Sequence, residues 1–304
     1  MPRNRGFRVK RSGYTSMGFL DKLKRMYRFV YKRSLRLRYK SRSKASYEFE
    51  DPDGIKWLIS KGSTLDHTLQ KRNGTYDPAI NLLISKCDLS RVAVDVGANA
   101  GYWSLPLAHR FARVVSFEPE PSMRSKFLMN VGLNKHLERK IYVVDKAASD
   151  SRGETEFFVR SSIDGEALLN RGLSSMVVSD GAHQKIQVKT TTVSDECDFL
   201  NCRVGLLKID VEGAESVVLK GAEKILLRDS PLVYWEAAIS LDLKHGRENV
   251  SECFDFLSSL GYEHYVLEGD SYWRRIDGYG EFAMIGCDLD ILSEMRNTNP
   301  LQKP

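Results

Sequence analysis

Three acidic residues each close an apolar run: Asp95 in Val92-Ala93-Val94-Asp95-Val96-Gly97-Ala98-Asn99-Ala100-Gly101, Glu118 in Val114-Val115-Ser116-Phe117-Glu118-Pro119, and Asp210 in Leu206-Leu207-Lys208-Ile209-Asp210-Val211-Glu212-Gly213-Ala214-Glu215. The first run reads as a buried strand entering a glycine turn and then a helix, the place where an open α/β sheet binds its ligand. Gly97 and Gly101 let the backbone come close to a ligand. Ala98 and Asn99 lie between them, and the free N–H groups of the helix start are expected to face it. The G-x-G-x-x-G spacing of a dinucleotide turn is missing, and Asp95 puts a carboxylate at the mouth, where a pyrophosphate is repelled. A ligand with an ammonium and a carboxylate but no phosphate suits such a turn. S-adenosylmethionine is one. Glu118 follows Gly97 by 21 residues, the distance at which an acid at the end of the second strand accepts both hydroxyls of a ribose. Pro119 stops that strand. Asp145, after Ile141–Val144, either presents a group to an adenine edge or sits in a plain surface turn.

Positioning these residues requires alternating elements. Strands are expected at 92–96, 113–117, 141–144, 205–209 and 232–235, with helices at 102–111, 122–133, 215–227 and 250–260 between or after them. Two further β segments, 154–160 and 185–192, flank a Gly/Ser-rich loop, and 262–267 with 282–287 reads as a closing strand pair. The pattern specifies an α/β fold with a doubly wound, mostly parallel sheet and an antiparallel closing strand. Residues 47–87 read as a lead-in with a short helix at 78–87, residues 88–288 as the sheet domain, and residues 289–304 as a tail.

D-V-G-A-N-A-G, F-E-P and K-I-D-V-E-G-A-E, in this order and spacing, resemble the FkbM family of S-adenosylmethionine-dependent methyltransferases, over roughly residues 88–288. The third motif discriminates, because the first two occur in many class I methyltransferases. Thr190–Glu196 also looks like the family's strand ending in a hydroxyl residue and acids. The resemblance implies the Rossmann-like class I methyltransferase fold and methylation of a hydroxyl on a sugar, glycolipid or natural product. Such an acceptor must lose a proton as the new bond forms. Asp210, at the end of the fourth strand, is the first candidate for receiving it or for orienting the hydroxyl. Glu236, ending Val233-Tyr234-Trp235-Glu236, is the second and His245 the third. Asp210 and Glu236 as a pair suit Mg²⁺, yet nothing in the sequence demands a metal, and none is assigned. Tyr234, Trp235, Tyr272 and Trp273 are candidates for stacking on a sugar ring or shielding the cofactor, or are core and rim. Glu212 and Glu215 fall where acids favour a helix start.

Charge is divided along the 304 residues. Residues 1–46 hold 16 Lys/Arg and one acid, Asp21, whereas the remaining 258 hold 30 basic and 39 acidic side chains. Within that arm, residues 17–44 combine an apolar stripe (Phe19, Leu20, Leu23, Met26, Tyr27, Val30) with a basic face. Such a segment is read as a helix lying on an anionic membrane surface, packing on its own domain, or contacting nucleic acid. A nucleic-acid methyltransferase using the arm, and a catalytically silent binding protein, are therefore the alternative functions. Against the former, the body is acidic and no N-P-P-Y-type motif follows the fourth strand. Five cysteines without C-x-x-C or metal spacing point to reduced thiols and a cytoplasmic protein, peripheral at a membrane through its arm. The expected acceptor partner is carbohydrate or lipid-linked.

Overall fold

The computed structural model describes residues 46–160, 176, 183–268 and 272–296. The amphipathic stretch 17–44 and the Gly/Ser-rich loop lie outside these residues, apart from Met176. Thirteen strands are described in chain order: β1 Ser46–Glu50, β2 Lys56–Ser60, β3 Val92–Val96, β4 Arg113–Phe117, β5 Ile141–Val144, β6 Ala147–Ala148, β7 Gly153–Arg160, β8 His183–Thr191, β9 Val204–Ile209, β10 Leu232–Ala237, β11 Tyr262–Glu268, β12 Tyr272–Ile276 and β13 Leu289–Met295. Eight of them form one sheet in the order β12-β11-β13-β10-β9-β3-β4-β5. The run β10-β9-β3-β4-β5 is parallel, and β13 enters antiparallel between β10 and β11. The chain winds outward from β3 through β4 and β5, then returns to place β9 on β3's other side. The β3/β9 boundary is therefore the switch point, where a crevice opens beyond the strand ends.

Continuous burial of β3 and β9 explains their apolar runs, interrupted by Asp95 and Lys208, since a parallel strand covered on both faces has no solvent side. Alternation along each strand sorts the two faces. Val92, Val94, Val96, Leu207, Ile209, Val233 and Trp235 share one core with the helices Glu215–Asp229 and Asn249–Ser259. Ala93, Leu206 and Tyr234 share the other with Leu105 and Phe127, from the helices Ser104–Arg110 and Pro121–Leu133.

Three expectations need correction. Residues 282–287 do not pair as a strand: Tyr279–Ile285 is a helix, and the strand beside β10 is Leu289–Met295. The tail expected from 289 thus supplies an inner strand, and the sheet domain does not stop at 288. The lead-in belongs to the same core, where Trp57, Leu69 and Leu83 are fully buried. Asparagine side chains from helix Pro121–Leu133 and its cap do the docking. Asn134 Oδ1 accepts from the Lys56 amide while its Nδ2 donates to the Lys56 carbonyl, and Asn130 Oδ1 accepts from the Leu58 amide. The segments at 154–160 and 185–192 do pair, antiparallel, but in a separate three-stranded sheet with β6. The five cysteines are all free thiols. No helix among the described residues is long and apolar enough to cross a membrane.

Candidate active site

Strand register builds the site. Ser116, Asp95, Lys208 and Tyr234 are direct neighbours across β4, β3, β9 and β10, so their side chains leave the sheet on one face. Asp210 and Glu236 follow two residues on. Trp235 points the other way, into the core with Phe254.

Beyond β3 the chain turns through Gly97 (φ +79°), Asn99 (φ +52°) and Gly101 (φ +90°). Gly97 is dictated by crowding as well as by φ: a Cβ there would lie 1.9 Å from the backbone oxygen of Asp210. The expectation of free amides facing a ligand is not met between 97 and 101. Gly97 and Ala98 donate to the Phe117 carbonyl, Asn99 to Glu118 Oε2, Ala100 to Asn99 Oδ1 and Gly101 to the Ala98 carbonyl. The turn holds its own shape with its amides. Glu118, buried just past β4, is part of that frame, since its other oxygen accepts from the Glu120 amide at 2.8 Å. Burial pushes its pKa up to about 7, against the pull of these two amides. Pro119 is buried beside it, and its carbonyl accepts from Arg124. Asp145 is exposed at the end of β5.

Asp95 is not at the mouth of the turn. It is fully buried, its Oδ2 accepting from the Ser104 hydroxyl at 2.6 Å and its Oδ1 lying 3.3 Å from Lys208 Nζ. One position before the strand end, its side chain goes into the sheet face and shapes the turn from beneath. Lys208, 2% exposed, donates to the Gly97 carbonyl at 3.2 Å and lies 3.4 Å from Asp210 Oδ2.

Past β9 and β10 lies a cavity of about 150 Å³ lined by Tyr76, Asp77, Trp103, Lys208, Ile209, Asp210, Tyr234, Glu236 and Asp290. Trp103 and Tyr234 rings stand 5.1 Å apart, and the Tyr234 hydroxyl donates to Asp77 Oδ2 at 2.8 Å. One oxygen each from Asp210, Glu212 and Glu236 lies within 4.8 Å of the others. Carboxylates this close do not all stay ionised unless a proton or a cation is shared among them. Burial, then Asp210 and Glu212, push the Glu236 pKa up to about 10, so it holds a proton at neutral pH. Its buried Oε2 has no hydrogen-bond partner among the described residues. Burial, then Asp77, likewise lifts Asp290 to about 7.

The structure therefore brings Asp210 and Glu236 together and leaves His245 out. His245 ends the helix Ile239–His245 and does not line the cavity. Glu215 is a cap: its carboxylate accepts from the Val211 and Gly213 amides and from Asn249. Glu212 adopts a left-handed φ of +57°. In the Thr190–Glu196 stretch Thr192 caps the helix Val193–Phe199, and Thr191 donates to Glu196. Of the aromatic candidates Tyr234 lines the cavity and Trp273 stands edge-on behind it; the Tyr272 side chain lies outside those described. Sequence reading missed Tyr76, Asp77, Trp103 and Asp290. Lys208 carried a signal, a cation inside an otherwise apolar buried strand, which only a matching buried acid allows.

The methyltransferase FkbM domain matches residues 95–264, more than half of the chain. The chain belongs to the FkbM methyltransferase family. The methyltransferases of that family use S-adenosylmethionine, and the mostly parallel sheet with an antiparallel strand beside β10 is the α/β fold that the resemblance implied. It is also similar to methyltransferase sdnD of Sordaria araneosa, 29% identical over 171 residues, which cover 47% of this chain and 66% of that protein. The chain thus spans just under two thirds of that relative. Among solved structures, methyltransferase FkbM from Methylobacillus flagellatus KT is 14% identical, with a TM-score of 0.41 over 76% of this chain and 56% of the other. TYW2 of M. jannaschii, in complex with AdoMet, is 10% identical, with a TM-score of 0.40 over 84% and 89%. The donor set of the FkbM-type site fits a cationic, phosphate-free cofactor. Beside the Gly97 turn, two carboxylates, Asp95 and Asp210, already match the charge of Lys208, and the Glu118 carboxylate accepts from the Asn99 amide.

Proposed function

We propose that this FkbM-family protein methylates a hydroxyl of a sugar, glycolipid or natural-product acceptor. One observation carries the reading: the cavity beside Asp210 combines acids with ring-shaped walls from Tyr76, Trp103 and Tyr234. Aromatic faces with a few converging polar groups suit a polyhydroxylated ring. S-adenosylmethionine, when bound, supplies a methyl group on a positively charged sulfur. Glu118, Pro119 and the turn Gly97, Ala98, Asn99 and Gly101 would hold it, with Asp95 supporting the turn from below and Asp145 at the outer rim. Asp210 would accept the proton that the acceptor hydroxyl loses as its oxygen takes the methyl carbon from sulfur, the carbon–sulfur bond breaking and S-adenosylhomocysteine leaving. Glu236, protonated at neutral pH, donates a hydrogen bond that fixes the acceptor, so positioning supplies much of the rate.

The test is transfer of label from methyl-tritiated S-adenosylmethionine to a panel of oligosaccharides and sugar-bearing lipids. An alkali-stable label is expected, as for a methyl ether. Asp210→Asn should slow turnover about 10²–10⁴-fold while S-adenosylhomocysteine affinity stays within about threefold. An alkali-labile label, which marks a carboxyl ester, or an unimpaired Asp210→Asn enzyme would defeat the reading.

A further inference from the structure

Lys208 sits in the third motif but is not one of the acids that the chemistry needs. It is 2% exposed, and its ammonium meets four groups from three places: Asp95 inside β3, the Val96 and Gly97 carbonyls where the turn begins, and Asp210 beyond β9. A lysine buried this deeply is retained only where opposite charge and acceptors replace its water. The arrangement is also polar in direction. Lys208 lines the cavity, whereas Asp95 does not and is sealed beneath the turn. The positive end of this buried ion pair therefore faces the crevice, next to the carboxylate that a sulfonium would approach.

We propose that Lys208 is a positioning residue that sets the charge of the methyl-transfer site. It aims Asp210 into the crevice, ties that acid to the Gly97 turn, and partly neutralises it. A bare Asp210 carboxylate would hold the cationic cofactor tightly and the neutral product, S-adenosylhomocysteine, weakly. With its charge partly cancelled, the site distinguishes the two less. Lys208 thereby keeps the ground state from being over-stabilised, leaving the attraction for the stage at which charge redistributes.

This rests on the methyltransferase reading, so binding of S-adenosylhomocysteine to the wild-type protein is measured first; absence of that binding would count against the reading itself. Calorimetric titrations with S-adenosylmethionine and with S-adenosylhomocysteine then give a ratio of affinities. Loosening of the turn weakens both ligands alike and cancels in the ratio, whereas a change in charge at the sulfur does not. Lys208→Met should shift the ratio about tenfold toward S-adenosylmethionine, the scale of one charge removed at close range in a partly buried site. Because that variant strands the buried Asp95 carboxylate, it is paired with Asp95→Asn/Lys208→Met, which removes both ends of the ion pair. The shift there should have the same direction and a smaller size. Both affinities falling by one common factor, in whichever of these variants folds, would overturn the proposal and reduce Lys208 to a structural ion-pair partner.

Discussion

The two sides of the crevice satisfy their polar groups in opposite ways. On the cofactor side, the amides from Gly97 to Gly101 and both Glu118 oxygens are matched to partners at ordinary distances, all within a few residues of the turn or of β4. On the proposed acceptor side, Asp210, Glu212 and Glu236 crowd together, Glu236 Oε2 is buried without a partner among the described residues, and Asp77 faces Asp290 across the Tyr234 hydroxyl. A fully satisfied frame resists change and presents one shape. Burial and the neighbouring acids raise the pKa of Glu236, whose carboxyl awaits an incoming group. The first arrangement suits a ligand held in one pose; the second suits one whose arrival supplies missing partners.

The sharpest way to break this contrast is Gly97→Ala. The new Cβ meets a backbone oxygen, which cannot rotate away, and the residue must hold φ near +79°. The left-handed backbone alone costs about 1–3 kcal/mol, and overpacking adds a similar amount. Chemical denaturation should register that loss, with S-adenosylhomocysteine binding abolished in the calorimeter. Gly101→Ala is a useful contrast: at φ +90° it shares the backbone cost, but the nearest atoms its Cβ would meet belong to the side chains of Phe127 and Leu105. Wild-type stability in Gly97→Ala would mean that the frame is not rigid.

Legibility in the sequence follows the same division. The cofactor side is made of contiguous stretches, so a glycine turn and an acid 21 residues later could be found by spacing alone. Even there, the burial of Asp95 was hidden, because it depends on which face of β3 looks toward Ser104 and Lys208. The acceptor side gathers Tyr76 and Asp77 from the lead-in, Tyr234 and Glu236 from β10, and Asp290 from the last strand. No spacing rule joins these. Leu289–Met295, with Asp290, Ser293 and Glu294, reads as a polar tail, and pairing with β10 and β11 makes it a strand. Phe282 to Ile285 is apolar enough to read as a strand, yet it is helical and packs Phe282 against Phe254. Tertiary pairing overrides local preference at both places.

A smaller effect, opposite in sign, is expected on the crowded side. Glu236 has a folded pKa of about 10, well above its ordinary 4.5. The folded state therefore binds a proton that the unfolded state releases, and the stability it contributes is whole below pH 4.5 and lost as pH rises toward 10. Glu236→Gln keeps the neutral shape and removes this loss. At pH 8 it should stabilise the protein, with a thermal midpoint several degrees higher. Glu118 and Asp290, both near 7, slope the same way in variant and wild type alike, so the gap between the two reports Glu236 and should keep widening above pH 7. Parallel midpoint curves from pH 5 to 9 would show that Glu236 is ionised after all, and the acceptor side would then resemble the cofactor side.

The smallest expected effect tests whether the two sides are separable. Tyr234 lies in register with Lys208 on β10, yet its hydroxyl turns outward to Asp77 from the lead-in. Tyr234→Phe keeps the ring against Trp103 and removes only that donor. A net loss of about 1 kcal/mol in denaturant unfolding follows from one such hydrogen bond. Its absence also takes away a donor that holds the Asp290 pKa down, so that acid should titrate higher still. Neither change touches Gly97, Glu118 or Asp210, and S-adenosylhomocysteine affinity should match wild type. If that affinity falls in step with stability, the lead-in and the cofactor turn form one cooperative unit, held through Asn130, which takes the Leu58 amide on one side and donates to the Ala100 carbonyl on the other. Independence is the stronger expectation. The Asn130 contacts run from the helix Pro121–Leu133 to the turn, whereas the Tyr234 hydroxyl donates to Asp77 of the lead-in, at the end of the crevice proposed for the acceptor.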